Sequence, residues 1–347
     1  MLGTEKITFD KTYKKNIITS VFGIAALMFL ILVGIAGAAP FAYITHPDNN
    51  TVSVIDTATD TVTANVTVGN SPEGIAVAPD GTKAYVTNYN DNTVSVINTS
   101  TNTVTATVPI GINPEGIAVS SDGTKVYAAN SGGSNNVSVI DTATDTVTAT
   151  LNGGNGPECI AVSPDGKTIY VTNSNYNTTS ITDVETNIVS NTVNVGTTPL
   201  GIVVSPDGTK VYVANLNSSS VSVISTSNNT VTDTVSVGNN PWTIAVTPDG
   251  KKVYVTNSAI YSDNHHGNVS IIDTSTNRVT ATVDAGFSPN GVSVTPDGTK
   301  VYVINSGGTI SVINTANNTV TDTVNLGNFS YTMGKFIGGP ITTTTGP

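Results

Sequence analysis

One recurring pentamer governs what this chain can fold into. A tyrosine sits inside a strand-like stretch as AYITH at Tyr43, AYVTN at Tyr85, VYAAN at Tyr127 and IYVTN at Tyr170. It returns as VYVAN at Tyr212, VYVTN at Tyr254 and VYVIN at Tyr302. Successive copies stand 42, 42, 43, 42, 42 and 48 residues apart, and the longest step carries the insertion SAIYSDNHHG. A fixed period of this length marks an array of one supersecondary unit. Each unit reads as four short strands. In the second, GIAVA (Gly74 to Ala78) leads through the turn Pro79-Asp80-Gly81 into AYVTN, then TVSVIN (Thr93 to Asn98) and TVTATV (Thr103 to Val108). Proline fixes φ in that turn and glycine accepts positive φ. Val and Ile hold one phase of each strand and Thr, Ser or Asn the other, the alternation of a half-buried strand, and the repeats show no 3.6-residue period. Four strands in about 42 residues fit a propeller blade.

The ends of the array specify how it closes. No GIAV-like strand precedes Tyr43, and the chain finishes on an orphan first strand, YTMGKFIG (Tyr331 to Gly338). The expected fold is therefore all-β: a seven-bladed β-propeller of four-stranded blades over residues 41–338, with about 28 strands. Tyr331–Gly338 is expected to become the innermost strand of the blade that opens at Phe41. Such closure removes a free sheet edge and ties the termini. Loss of 331–338 should then cost far more than loss of 341–347. The single cysteine, Cys159, permits no internal disulfide, so core and closure must hold the fold. Cys159 itself reads as a small buried apolar residue.

The pattern SPDGTKVYVTN, NTVSVIDT, NTVTATV resembles the YVTN-type β-propeller repeats of archaeal surface-layer and related surface proteins, over about residues 41 to 338. In that family such propellers often precede immunoglobulin-like PKD modules, which this sequence does not contain. The resemblance implies an extracellular structural or adhesive module and transfers no catalytic residue.

The N-terminus agrees with export. Lys6, Lys11, Lys14 and Lys15 precede an apolar run from Val21 to Ala39, which ends in small residues before Pro40. Residues 1–39 read as a secretory signal cleaved near Ala38 or Ala39. The alternative is an uncleaved membrane anchor, since about 20 apolar residues span a bilayer. With the first strand at Phe41 an anchored propeller would have almost no tether. Either way the folded part faces outward. Residues 339–347 form a short Thr-rich tail.

Net charge −11 and a pI near 4.4 exclude free nucleic-acid binding, which needs clustered Lys and Arg. No haem, zinc-hydrolase, serine-hydrolase or phosphate-loop motif occurs. His46, His265 and His266 lie off the innermost strands, and Arg278, the only arginine, falls in an outer hairpin. No catalytic residue is expected. Two features invite a binding role. The position before each innermost strand holds, in ring order, Glu73, Glu115, Glu158, Leu200, Trp242, Asn290 and Tyr331. These should circle one mouth of the tunnel. Carboxylates at Glu73, Glu115 and Glu158 could hold a hard cation such as Ca²⁺, Trp242 and Tyr331 could stack a sugar, or the glutamates could simply brace adjacent blades. The insertion Ser258 to Gly267 brings Asp263, Asn264, His265 and His266 near one another, either as transition-metal ligands or as a solvated contact loop.

Ten N-x-S/T sites occur, about what so Asn-, Ser- and Thr-rich a chain gives by chance. Asn65, Asn98, Asn136 and Asn268 are the glycosylation candidates, with Asn65 on the Thr phase of an outermost strand. The expectation is a non-catalytic, secreted or cell-surface module whose partners are cell-envelope proteins or glycans. Membrane contact is expected only through an uncleaved N-terminal segment. The alternative is a ligand-binding propeller that uses the tunnel mouth for a cation, glycan or peptide.

Overall fold

A computed structural model describes residues 40–258 and 265–339. Residues 1–39, expected to be a signal or anchor, most of the tail, and Asp263 and Asn264 of the insertion lie outside the described residues. Among the described residues the alternating sequence folds into 28 strands in seven antiparallel sheets of four. The second blade sets the pattern: Pro72–Val77 innermost, then Lys83–Asn88, Thr93–Asn98 and Thr103–Pro109 outermost. The same order runs to the seventh blade, from Pro289–Val294 to Thr319–Asn325. Innermost strands of adjacent blades pack side by side around a central tunnel. They start two residues before the GIAV run, so Glu73, Glu115 and Glu158 sit on these strands rather than ahead of them.

The repeat residues have distinct duties. The recurrent tyrosines are buried between sheets, six of them at 0–1% exposure and Tyr170 at 4%. In every outermost strand the third residue is Thr or Ser because a bulge falls there. The extra residue Thr63, for example, leaves Val54 O without a ladder partner, and the Thr63 hydroxyl donates to it at 3.1 Å. Thr105, Thr148, Ser190, Thr232, Thr280 and Thr321 repeat that bond at 3.1–3.4 Å.

The Thr of YVTN joins neighbouring blades. Thr87 Oγ1 accepts from Gly74 N at 2.8 Å within its own blade and donates to Glu115 O of the next at 2.7 Å. Thr172 joins the fourth blade to the fifth likewise, from Cys159 N at 3.0 Å to Leu200 O at 2.8 Å. Thr87→Val keeps shape but strands a buried donor and acceptor, each costing about 1–3 kcal/mol. Urea unfolding of this variant should show a loss of roughly 2 kcal/mol, whereas Thr107→Val on an exposed outer position should stay within about 0.5 kcal/mol.

Glycine at the end of the outer strand is required by close approach. A Cβ on Gly111 would lie 2.6 Å from the Asn130 side chain of the next blade, and one on Gly238 would meet Asn257 at 2.7 Å. The Asn is itself buried and donates to a Ser of its own blade, as Asn130 Nδ2 does to Ser138 Oγ at 3.0 Å. In the first blade His46 takes that place and bonds Ser53 Oγ through Nε2 at 2.8 Å.

The ring closes as the sequence implies, through a shorter ladder. The strand expected over Tyr331–Gly338 is confined to Ile337–Gly338, which pair with Ala42 and Phe41. In the second blade only Ile75 separates Gly74, held by Thr87, from Ala76, opposite Tyr85. In the first, Met333, Gly334 and Lys335 separate Thr332, held by Thr45, from Phe336, whose carbonyl accepts from Tyr43 N at 3.0 Å. Two extra residues therefore bulge into the tunnel. There the chain pairs with the second blade, with Met333 O accepting from Ile75 N at 2.8 Å and Lys335 O from Val77 N at 3.1 Å. Gly334 has φ +99°, and a Cβ on it would lie 2.5 Å from Ile75 O. Outside the tunnel, Lys300 of the seventh blade clips the first through Asp60 at 2.7 Å and Thr57 O at 2.8 Å. Tyr302 also donates to Asp60.

Candidate functional site

Of the seven equivalent positions the structure brings Glu115 to Glu158 and Trp242 to Tyr331, and these side chains serve each other and their own blades. Glu115 Oε1 accepts from Ser131 Oγ at 2.6 Å, and Glu158 Oε1 accepts from Ser174 Oγ at 2.6 Å. The two carboxyls are also hydrogen-bonded to one another. Burial, and then the contact with Glu158, raise the Glu115 pKa far above the carboxylate range, so Glu115 keeps its proton and donates it to Glu158. Glu73 is pushed up to about 7, chiefly by burial and then by the charge of Glu158. The three glutamates thus form a partly protonated acidic arc. A hard-cation cage would need them ionised and convergent, and among the described residues no three His, Cys, Asp or Glu side chains form a metal-sized group.

The other arc is closed by aromatic rings. Trp242 and Tyr331 meet edge to face, with centroids 6.1 Å apart and planes at 81°. The Tyr331 hydroxyl lies 3.5 Å from Met333 Sδ, and Met333 Sδ lies 3.6 Å from Cys159 Sγ. Tyr331 and Met333 thereby stop this mouth. Its rings are packed on each other rather than offered flat to a sugar. Cys159 is buried as expected, and burial pushes its thiol pKa up.

Beyond the stopper the tunnel continues as a cavity of about 520 Å³. It reaches from the ring of Gly116, Cys159, Gly201 and Thr243 to the exposed turn prolines Pro79, Pro164 and Pro206 at the opposite end. None of Glu73, Glu115, Glu158, Trp242 or Tyr331 lines it. The binding volume lies on the far side of the plug from the residues singled out by sequence. The signal missed was the bulge-forming run Met333-Gly334-Lys335, which has no counterpart in the other blades.

The remaining candidates are scattered. His46 is 1% exposed and braces Ser53 and Phe329 O, and burial lowers its pKa. In the insertion, the His265 ring lies on Phe287, centroids 5.3 Å apart, while His266 Nδ1 faces Asp284 at 3.7 Å. The two histidines are not brought to one point. Of the glycosylation candidates, Asn65 is exposed, although its Oδ1 accepts from Ser53 Oγ at 2.7 Å. Asn98 Oδ1 caps the turn at Ser100 N. Asn136 and Asn268 accept from the buried Asn130 and Asn257, each at 2.7 Å.

Residues 117–208 match a family profile described as a YNCE-like beta-propeller. The chain is a β-propeller repeat protein. Among solved structures, the propeller is similar to hydrazine synthase of Kuenenia stuttgartiensis, 24% identical with a TM-score of 0.68, over 82% of this chain and 97% of that one. It is also similar to a functionally unknown protein from Desulfotomaculum acetoxidans, 20% identical with a TM-score of 0.75, over 87% of this chain and all (100%) of that one. A proposed 6-phosphogluconolactonase from Bacteroides uniformis is 18% identical with a TM-score of 0.70, over 84% and 98%. At these identities the likeness is one of fold. A PE-PGRS family protein of Mycobacterium tuberculosis is 57% identical over 37 residues, which is 11% of this chain and 8% of the relative. This propeller spans only that small part of the relative's length.

Proposed function

We propose that this β-propeller is an exported, non-catalytic interaction module of the cell surface, of the surface-layer type, that binds cell-envelope proteins or glycans. The observation carrying this reading is that the Glu115 and Glu158 carboxyl groups at the tunnel mouth are engaged by neighbouring protein side chains. Glu115 accepts from Ser131 and meets Glu158 of the next blade, Glu158 accepts from Ser174, and Tyr331 packs on Trp242 at the opening. What the fold presents outward is a rigid rim of exposed outer strands carrying Thr and Asn, such as Thr61–Thr67 with Asn65. Uncharged hydroxyl and amide rows suit contact with glycans or with other polar envelope surfaces. A glycan on Asn65 would shield that outer edge. A basic N-terminus followed by an apolar run directs the propeller outward.

The second reading is a propeller that binds a ligand at the glutamate mouth. The contact of Glu115 with Glu158, and the nearness of Glu73 to Glu158, favour it, and the raised pKa of Glu115 disfavours a cation there. Fractionation of native cells, with intact-mass measurement and N-terminal sequencing of the fraction that holds the protein, tests the first reading. A mature chain starting near Ala39 in the envelope or medium is expected. An intact Met1 in the cytoplasm overturns it.

A further inference from the structure

The tunnel cavity is walled mainly by aliphatic side chains, with Ser121, Ser163, Thr243, Thr247, Ser293 and Thr295 between them, and Lys335 is its one charged lining residue. The ends of six innermost strands contribute Val77, Val119, Val162, Val204, Val246 and Val294. At the seventh place the bulged closing segment contributes Lys335 instead. Solvent reaches Lys335 through the open end, while protein surrounds it on its other sides. Its ammonium makes no hydrogen bond or ion pair with any described residue. No carboxylate acts on it either, and burial alone lowers its pKa. The glutamates of the far mouth stand beyond Tyr331 and Met333. Exposed at the open end and without a counter-ion, this ammonium is the charged anchor that orients a ligand in a site of this kind. The volume, about 520 Å³, falls within the roughly 300–1,000 Å³ of small-molecule sites. Four residues of strand line the wall, roughly 13 Å at about 3.3 Å each.

The geometry points to a binding site for a small apolar carboxylate, its hydrocarbon lying along the valine ring and its carboxylate paired with Lys335. The ligand enters from the turn side, since the other end is stopped. The Lys335 position is a consequence of the two-residue bulge. Ile337 pairs with Ala42 as Val77 pairs with Ala84, so it is the extra length just before it that places Lys335 in the tunnel wall. This site is independent of the glutamate mouth and of where the protein resides.

Isothermal titration of the purified propeller with octanoate, 1-octanol and inorganic phosphate tests the assignment. One octanoate is expected to bind per chain, with phosphate silent because it offers no apolar body. Lys335→Met should weaken octanoate at least tenfold while leaving 1-octanol within about twofold of wild type. Lys335→Arg should retain octanoate. Lys335 is solvent-accessible and unbonded through its side chain, so both variants should keep the wild-type thermal transition. Absence of octanoate binding at millimolar concentration, or equal octanoate affinity in wild type and Lys335→Met, overturns the proposal.

Discussion

A chain ended at Ser330 is expected to show no cooperative unfolding transition as a monomer. The lost segment buries Met333, Phe336 and Ile337 at 1%, 0% and 0% exposure. Removing a buried side chain of this size costs about 2–5 kcal/mol, so three sum to the order of 10 kcal/mol. A whole domain is stable by only about 5–15 kcal/mol. The cut also frees Ile75 N and Val77 N and opens the inner edge of the first blade at Phe41 and Ala42. Six blades remain internally intact, which leaves an open arc with an exposed edge that should associate. Circular dichroism on heating and size exclusion will show this as a broad transition and oligomers. A synthetic peptide of residues 331–339 should restore a sharp transition in proportion to its concentration, because it binds only the folded ring. A cooperative monomer without the peptide would mean that the Lys300–Asp60 clip and the blade cores suffice.

The second large effect is on pH. Glu73 and Glu115 hold protons in the folded ring above the usual carboxylate range, so the folded state binds more protons than the unfolded one. Stability must fall as pH rises from the unfolded value near 4.5 through the folded one. For Glu73, raised to about 7, the full loss is about 3 kcal/mol. His46 works in the opposite direction: burial lowers its pKa, so stability is lost as pH falls below 6.5, where the unfolded chain protonates first. Between pH 4.5 and 6.5 the two glutamates outweigh the one histidine, so stability should be highest near pH 4.5 and fall toward neutral and alkaline pH. It should drop by more than about 1 kcal/mol between pH 6.5 and 8, with Glu73 and Glu115 adding. The surface aspartates with lowered values, such as Asp122, Asp165 and Asp207, titrate below this window.

Glu115→Gln should flatten the alkaline limb, because its amide donates to Glu158 at every pH and its carbonyl can still accept from Ser131. His46→Asn, which installs the residue of the other six blades, should steepen the fall between pH 4.5 and 6.5, because it removes the one group that opposes the glutamates there. Guanidinium unfolding at half-unit pH steps measures both. A wild-type profile flat from pH 6.5 to 8 would contradict the protonated arc.

The blades were legible because the sequence states them seven times. Tyr, Thr and Asn of YVTN recur wherever a buried ring, a cross-blade hydroxyl and a Ser-bonded amide are needed. Closure was legible from the missing first strand and the orphan last one. The bulge at Met333–Lys335 was not, because the closing segment has no second copy to compare with. Its extra length shows only when paired against Thr45 and Tyr43. The mouth positions followed from register alone, yet the proton shared by Glu115 and Glu158 depends on how closely neighbouring blades approach. A Cβ on Gly116 would lie 2.3 Å from Glu158 O, and that spacing is tertiary. The cavity was hidden for a different reason: Val and Ala facing a tunnel read the same as Val and Ala facing a core.

Native-state hydrogen exchange at Ile75, Val77 and Tyr43 tests most directly whether the C-terminal segment closes the ring. Their amides donate to Met333 O, Lys335 O and Phe336 O. They are expected to exchange only through global unfolding, as slowly as the most protected amides of the blade cores. Fast exchange at these three sites, with the blade cores still protected, would show that the segment is not seated in the tunnel and that the ring is held shut by other contacts.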